Sequence, residues 1–550
     1  MRSLHTQLYT LSSAAPMEKR HPKPTIHTLL GTMWTRLWGG NPPDLLLVAL
    51  GLSVGLLMTG PILYVILHAL SAGTDRWQRL LDTRIPTLLW NTVSITAATT
   101  FFSLIIGVSL AWLIHRCDTP GRGLWRWVLA LPLMLPSYVG AVAYIMIFGP
   151  RGWIYAVAGK TFVNLYSFWG VLFVLTMFKF PYVYLIAGAA LKRMNRSYEE
   201  TARSLGLGPW DVFWKVTFPL LRPAMGAGAI LTALCTLSEF GVVALLRFNT
   251  FTSAIYYQME NYNRTAATVL SLVLIALTFA VIGAERLMRK QGRFHQSSNA
   301  YRPPDTLKLK KWKPVALLWV GGIGVLAVFM PLGVLFYWSL QGITRGALDN
   351  RFWAFALNSL QVAGFAALIT VVLSLPVIYL NARHPSLPAA LIERLSTSGY
   401  ALPGVIVALG IIFIFNTYIP WLYNTALLLV VAYVVRFLPQ AMQYGQASLS
   451  QISPRIDEAA RNLGYPPWKV LATVIAPLVA PGLLAGAALV FVSAIKELPA
   501  TLILRPPGFD TLAVRVWVEA SEAIYYMAAP AALLIVLVAV LPLKWMLNRY

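Results

Sequence analysis

Apolar runs of about twenty residues recur along this chain, in the same order twice. The first series lies at about 44–70, 91–114, 127–148, 168–191, 224–246 and 266–284. The second lies at about 315–340, 357–381, 397–416, 421–445, 479–500 and 525–546. A run of that length matches the hydrocarbon thickness of a bilayer, where backbone polar groups must be satisfied within the element itself. The predicted fold class is therefore an all-α integral membrane protein of about twelve transmembrane helices, arranged as two six-helix repeats. Only 12% of the 550 residues are charged and 58% are hydrophobic, against roughly 25% charged in soluble domains. No long polar region could form a large soluble domain.

The most polar part of each half is also repeated. Residues 200–223 read ETARSLGLGPWDVFWKVTFPLLRP, and residues 458–481 read EAARNLGYPPWKVLATVIAPLVAP. Glu200, Ala202, Arg203, Gly206, Pro209, Trp210 and Pro219 coincide with Glu458, Ala460, Arg461, Gly464, Pro467, Trp468 and Pro477, each pair 258 positions apart. Earlier in the halves, NTVSITAATT at 91–100 resembles NSLQVAGFAA at 358–367, and Leu135-Pro136 matches Leu402-Pro403, at an offset of 267. The change of offset places a nine-residue shortening in the loop before the fourth run, where length is tolerated. Six spans return the chain to its starting side, so the halves are expected to be parallel and related by a pseudo-twofold along the membrane normal.

The units read as a basic N-terminal extension at 1–43, a first unit at 44–284, a basic linker at 285–313 and a second unit at 314–550. The linker carries Arg286, Arg289, Lys290, Arg293, Arg302, Lys308, Lys310, Lys311 and Lys313 against Glu285 and Asp305. Lys and Arg gather in the N-terminus, 115–126, the polar repeats, the linker and 382–394, which puts that side and both termini in the cytoplasm. The same rule accounts for the net charge of +24. No soluble fold backs a basic patch, so no nucleic-acid partner is expected. Residues 1–40 lack the early apolar core of a cleavable signal. Two cysteines, Cys117 and Cys235, make neither a disulfide framework nor a thiolate metal site. The seven histidines form no HxxxH-type pair, so no structural metal is expected.

In each polar repeat a short helix, stopped by Gly206 or Gly464, precedes a second that starts near Pro209 or Pro467. Both are expected to lie as short helices across the bundle mouth. Leu205, Trp210 and Val212, like Leu463, Trp468 and Val470, would anchor them to the bundle. Glu200 with Arg203, and Glu458 with Arg461, would face a partner. An amphipathic helix resting on lipid headgroups is the competing account; two helix stops and duplication at unchanged spacing argue against it.

Here the residues resemble a known family. Glu200, Ala202, Gly206 and Pro219, and Glu458, Ala459, Ala460, Gly464 and Pro477, are similar to the EAA loop of binding-protein-dependent ABC importer permeases. Thr201 stands where the family usually has Ala. The resemblance spans nearly the whole chain and implies a type I ABC importer fold, with coupling loops at 195–223 and 453–481. It implies that Glu200, Ala202, Arg203, Gly206, Glu458, Ala460, Arg461 and Gly464 engage two copies of an ATP-binding subunit, which carry the ATP and Mg²⁺. It also implies a periplasmic substrate-binding protein and a bacterial inner-membrane location. Gly159-Lys160-Thr161 resembles the end of a phosphate-binding loop, but Ile154 stands where its first Gly belongs and no Mg²⁺-binding strand follows. The chain is thus expected to bind no cofactor and to be no enzyme itself.

Ionisable groups inside spans are costly, and so are candidate functional groups. Glu239 and Glu497 again lie 258 apart, with Ser238 and Lys496 at the matching neighbouring positions. Two readings are open. The carboxylates line a translocation path and attract a cation, or they pair with Arg247, Lys496 or Arg505 to hold helices together. Lys179 and Arg436, in the fourth runs, are expected to snorkel or to meet a carbonyl. Trp153, Trp169, Trp319, Trp421 and Trp517 read as interfacial anchors. KELPATLILRPPGFDTLAVRVW at 496–517 resembles ferric-iron importer permeases, with thiamine, phosphonate and polyamine permeases as alternatives. Ferric ion is a hard cation that prefers oxygen ligands, so the resemblance implies transient Fe³⁺ contact at Glu239 and Glu497. An ion-driven secondary transporter is the reading from another class; it needs no partner loops.

Overall fold

The computed structural model describes residues 34–290 and 306–549, apart from Asn41 and Arg151. Most of the expected N-terminal extension and the centre of the linker lie outside the described residues. Among the described residues the protein is helical, with one isolated bridge between Cys117 and Leu307. Ten helices are long and apolar enough to cross a membrane, and two shorter apolar ones lie at Gly404–Tyr418 and Tyr525–Val540. The short pair takes the places expected of the third and sixth spans of the second half.

The first half comprises α1 (Leu45–Leu70), α2 (Ile85–His115), α3 (Ser137–Phe148), α4 (Phe168–Arg193), the polar α5 (Arg196–Ser204), α6 (Phe218–Leu237), the short α7 (Gly241–Leu245) and α8 (Arg264–Lys290). The second half repeats this as α9 (Lys313–Gly324) running on into α10 (Met330–Thr344), then α11 (Asn350–Arg383), α12 (Leu387–Ser396), α13 (Gly404–Tyr418) and α14 (Ala426–Leu449). It ends with the polar α15 (Arg455–Asn462), α16 (Ala476–Ile495), the short α17 (Pro499–Leu504) and α18 (Tyr525–Arg549). Side-chain caps start many of them: Asp44 accepts from Leu46 N, Ser167 from Gly170 N, Asp349 from Phe352 N and Thr425 from Leu428 N.

Three expected spans are broken where the hydropathy reads as continuous. Pro132 and Pro136 interrupt the third run, so α3 starts only at Ser137, after a separate short helix at Arg122–Val128. The fifth run breaks at Ser238–Phe240, and its counterpart at Lys496–Leu498, before α7 and α17 resume. The second helix of each polar repeat, expected to be short, is instead the beginning of the fifth span. Pro209–Val212 continues through a π-helical turn, Phe213–Thr217, into α6. Pro467–Val470 continues through Leu471–Ile475 into α16. Each π turn ends two residues before a proline, Pro219 or Pro477, and a third, Val325–Phe329, does the same before Pro331. Proline removes one N–H and crowds the carbonyl four residues back, and the widened turn accommodates both.

The halves interlock. The first span α1 packs on α12 and α13 of the second half, and α10 packs on α3 of the first. The approach is close: a side chain on Gly410 would collide with the Pro61 carbonyl, and one on Gly324 would lie 2.6 Å from Trp125. Tyr144 donates to the Leu326 carbonyl at 2.7 Å. Small residues at such crossings let backbones meet where lipid gives no hydrophobic drive for association.

Candidate functional site

The two polar repeats are separated by six apolar helices, so they emerge on the same side of the bundle. Each is bolted to the span ends beneath it by a buried ion pair. Arg116, just past the end of α2, donates to Glu199 of α5 at 2.5 Å, and Thr217 adds a bond to the same carboxylate at 3.1 Å. Arg383, at the end of α11, donates to Asp457 of α15 at 2.9 Å. Arg116 and Arg383 lie 267 apart, and Glu199 and Asp457 lie 258 apart. These are the two offsets of the repeat, so the bolts were readable from the sequence; both arginines pass there for ordinary loop charges. Removing one partner of such a buried pair costs about 3–5 kcal/mol.

Of the residues expected to face a partner, Arg203 and Glu458 are exposed, while Glu200 and Arg461 are half-buried. Glu200 pairs with Arg196 at 2.5 Å across the helix surface, and Glu458 and Arg203 lie open. Arg461 reaches the Tyr379 hydroxyl at 3.2 Å, while Ala202 and Ala460 are buried. The expected apolar anchors divide. Val212 and Val470 are buried, but Leu205 and Leu463 are 78% and 79% exposed, and Trp210 and Trp468 are 72% and 56% exposed. Leu205 and Leu463 directly precede the helix stop, where Gly206 and Gly464 adopt φ of 83° and 86°. Their amides bond back to Arg203 and Arg461, closing each helix. Each half therefore presents a Leu–Trp pair with polar residues around it, and no part of the described chain covers it.

At the far end of α6 and α16 lies a half-open cavity of about 380 Å³, lined by both halves. Glu239 and Glu497 sit in the breaks that end these helices, and each accepts a backbone N–H from the following short helix, Val242 at 3.4 Å and Ala500 at 3.2 Å. Their cation partners differ from those expected. Lys179 of α4 pairs with Glu239 at 2.8 Å, and Arg436 of α14 pairs with Glu497. Lys179 and Arg436 thus do not snorkel, because a carboxylate lies within reach inside the bundle. Arg505 pairs with Asp510, and Lys496 donates to the Leu133 carbonyl at 3.1 Å.

The two pairs are built with compensating volumes. In the first half Ser137 donates to Glu239 at 2.7 Å beside the slender Lys179. The matching residue of the second half is Gly404, where a Cβ would lie 2.8 Å from Glu497 Oε1 and collide with the Arg436 guanidinium. The smaller residue makes room for the larger cation. Trp517, expected as an interfacial anchor, stacks on Phe240 at 5.3 Å between centroids, beside the Glu239 break. Ser238 lines the cavity. Among the described residues no group of three or more His, Cys, Asp or Glu side chains comes together.

Residues 103–291 and 374–547 match the family described as the inner membrane component of binding-protein-dependent transport systems. The chain belongs to this family. Among relatives of this permease, an Fe(3+)-transport system permease protein of Haemophilus influenzae is 34% identical over 516 residues, covering 92% of this chain and 99% of its own. A ferric transport system permease protein of Actinobacillus pleuropneumoniae is 24% identical over 74% of this chain and 62% of its own. A molybdenum transport system permease protein of Escherichia coli is 32% identical over 34% of this chain and 85% of its own. The two matched segments of the permease begin within α2 and α11 and take in both polar repeats and both carboxylates.

Proposed function

We propose that this permease is the translocation subunit of an ATP-driven importer that receives ferric iron from a periplasmic binding protein. The observation that carries the reading is the duplicated exposed surface, Leu205 with Trp210 and Leu463 with Trp468, each held by a buried pair to the spans beneath. Two such sockets suit two ATP-binding subunits on the cytoplasmic side, where basic residues concentrate. Glu200, Arg203, Glu458 and Arg461 give those sockets their polar rims. The sockets are not identical: Thr201 and Asp211 of the first stand against Ala459 and Lys469 of the second.

One continuous helix links each socket to the cavity. From Pro209 to Leu237, and from Pro467 to Ile495, the rise is roughly 40 Å at 1.5 Å per residue. A displacement of the socket by an ATPase subunit is therefore delivered to the breaks that hold Glu239 and Glu497. A second cavity of about 320 Å³, lined by Tyr166, Arg247, Tyr257, Trp517 and Tyr525, lies between the loops at the other ends of the spans. It suits delivery of cargo from a docked binding protein. ATP and binding protein then drive alternating access, each by favouring one state over the other. Ferric iron as cargo is supported by the Haemophilus relative, of which this chain covers nearly the whole length.

The test is co-purification with the ATP-binding subunit, followed by ⁵⁵Fe uptake in proteoliposomes. Replacing Gly206 and Gly464 together by Ala forces a side chain into a left-handed conformation at both helix stops, at about 1–2 kcal/mol each. It adds no clash, since nothing lies within 4 Å of either site. The double variant is expected to assemble and hydrolyse ATP but to lose most ATP-dependent uptake. Uptake at the normal rate contradicts the assignment of the sockets.

A further inference from the structure

The central cavity has a charge balance that suits an anion better than a bare trivalent cation. Five charged side chains line it: Lys179, Arg436 and Lys496 against Glu239 and Glu497. Both carboxylates are already engaged, each by one cation and one backbone N–H. A ferric ion approaching them would bring its charge close to an ammonium or a guanidinium inside the bundle. Lys496 is the surplus cation. Among the described residues no carboxylate lies within ion-pair distance of it, and its one hydrogen bond, to the Leu133 carbonyl, uses one of three N–H groups.

A second, independent feature points the same way. Tyr138 is 4% exposed, lines the same cavity, and its hydroxyl has no hydrogen-bond partner. A buried polar group without a partner is costly, typically by about 1–3 kcal/mol, and an acceptor arriving in the cavity would relieve it. Further donors stand around it. Ser238 lines the wall, and Ser493 donates to Gln440 Oε1 at 3.0 Å, leaving the Gln440 amide nitrogen as that side chain's donor. The volume, about 380 Å³, is at the small end of the ~300–1,000 Å³ range of small-molecule pockets. It has room for a metal ion carrying a few small ligands.

We propose that this cavity is an oxyanion subsite built on Lys496 and Tyr138, and that iron crosses as a complex with a small oxyanion. The proposal rests on the reading of the protein as a ferric importer subunit, and deepens it by naming the chemical form of the cargo. The anion offers its oxygens to Lys496 and Tyr138 while it screens the ferric charge from Lys179 and Arg436. Charge-assisted bonds of this kind are roughly twice as strong as neutral ones.

The permease in lipid nanodiscs is dialysed against ³²P-orthophosphate. Saturable binding is expected, weakened at least tenfold by Lys496→Met and about threefold by Tyr138→Phe, and kept by Lys496→Arg. Absence of binding, or equal binding by Lys496→Met, overturns the subsite. In proteoliposomes holding the whole complex and its ⁵⁵Fe-loaded binding protein, Lys496→Met is expected to slow ⁵⁵Fe entry at least tenfold, with Lys496→Arg near normal. Faster ⁵⁵Fe entry in Lys496→Met is the signature of a bare cation and also overturns it. Label from phosphate entering together with ⁵⁵Fe supports an anion riding on the iron. Phosphate entering without ⁵⁵Fe supports the subsite while refuting ferric cargo.

Discussion

Gly404 is the residue on which the second half differs most from the first at the cavity. Its lack of a side chain lets the Arg436 guanidinium reach Glu497, where the first half uses Ser137 and the smaller Lys179. Gly404→Ala is expected to lower stability by about 1–3 kcal/mol, the usual cost of overpacking, read as a fall in melting temperature in detergent. Adding Arg436→Lys to the same chain is expected to recover most of the loss, because the shorter cation copies the first half. If the double variant melts as low as Gly404→Ala alone, the volume exchange is not what fixes this pair. The positions of Glu239 and Glu497 could be read from their shared offset. Their partners could not, because pairing Lys179 with Glu239 depends on how α4 meets the end of α6, and no spacing along the chain encodes that. The bolts Arg116–Glu199 and Arg383–Asp457 are the opposite case, since both obey the repeat offsets.

At the scale of elements, hydropathy located every span but misplaced the boundaries that matter. A window of apolar residues reads through Pro132, Pro136 and the breaks at Ser238–Phe240 and Lys496–Leu498, since hydropathy carries no information on backbone bonding. The π turns before Pro219 and Pro477 likewise turn an expected pair of short helices into the foot of a span. Leu205, Trp210, Leu463 and Trp468 read as bundle anchors because they are apolar, yet all four are exposed, and it is Arg116 and Arg383 that fasten α5 and α15. The linker is fastened at this same end. Asp118 accepts from the Leu309 amide at 2.7 Å and pairs with Lys313 at 2.9 Å, and Leu307 bonds to the backbone on either side of Cys117. The Leu309 amide first, and the Lys313 bond second, hold the Asp118 carboxyl below its usual range. A depressed folded pKa gives stability that is present above the ordinary value, ~3.9, and is lost as pH falls through the lower folded one. Protection of the Leu309 amide from hydrogen exchange is expected to be level between pH 7 and pH 5, after correction for intrinsic rate, and to fall below about pH 4. Asp118→Asn is expected to remove that step; the same step in the variant would place its origin elsewhere.

At the scale of the whole molecule, the chain is a fused pair whose first spans reach across to the other half: α1 lies on α12 and α13, and α10 touches α3 while packing chiefly on α18. Duplication was legible from the two offsets, whereas the contacts of the first spans across the halves were not, because every apolar span suits any neighbour in lipid. The interlock makes the two sockets parts of one rigid frame, so a single chain should recruit two ATP-binding subunits. Native mass spectrometry of the complex purified without nucleotide tests this most directly. The expected species is one 60.8 kDa chain with two ATP-binding subunits, falling to one when Leu205 and Trp210 are both replaced by Asp and to none when Leu463 and Trp468 are replaced as well. A wild-type complex with one ATP-binding subunit per chain, or a stoichiometry unmoved by these replacements, would contradict the account.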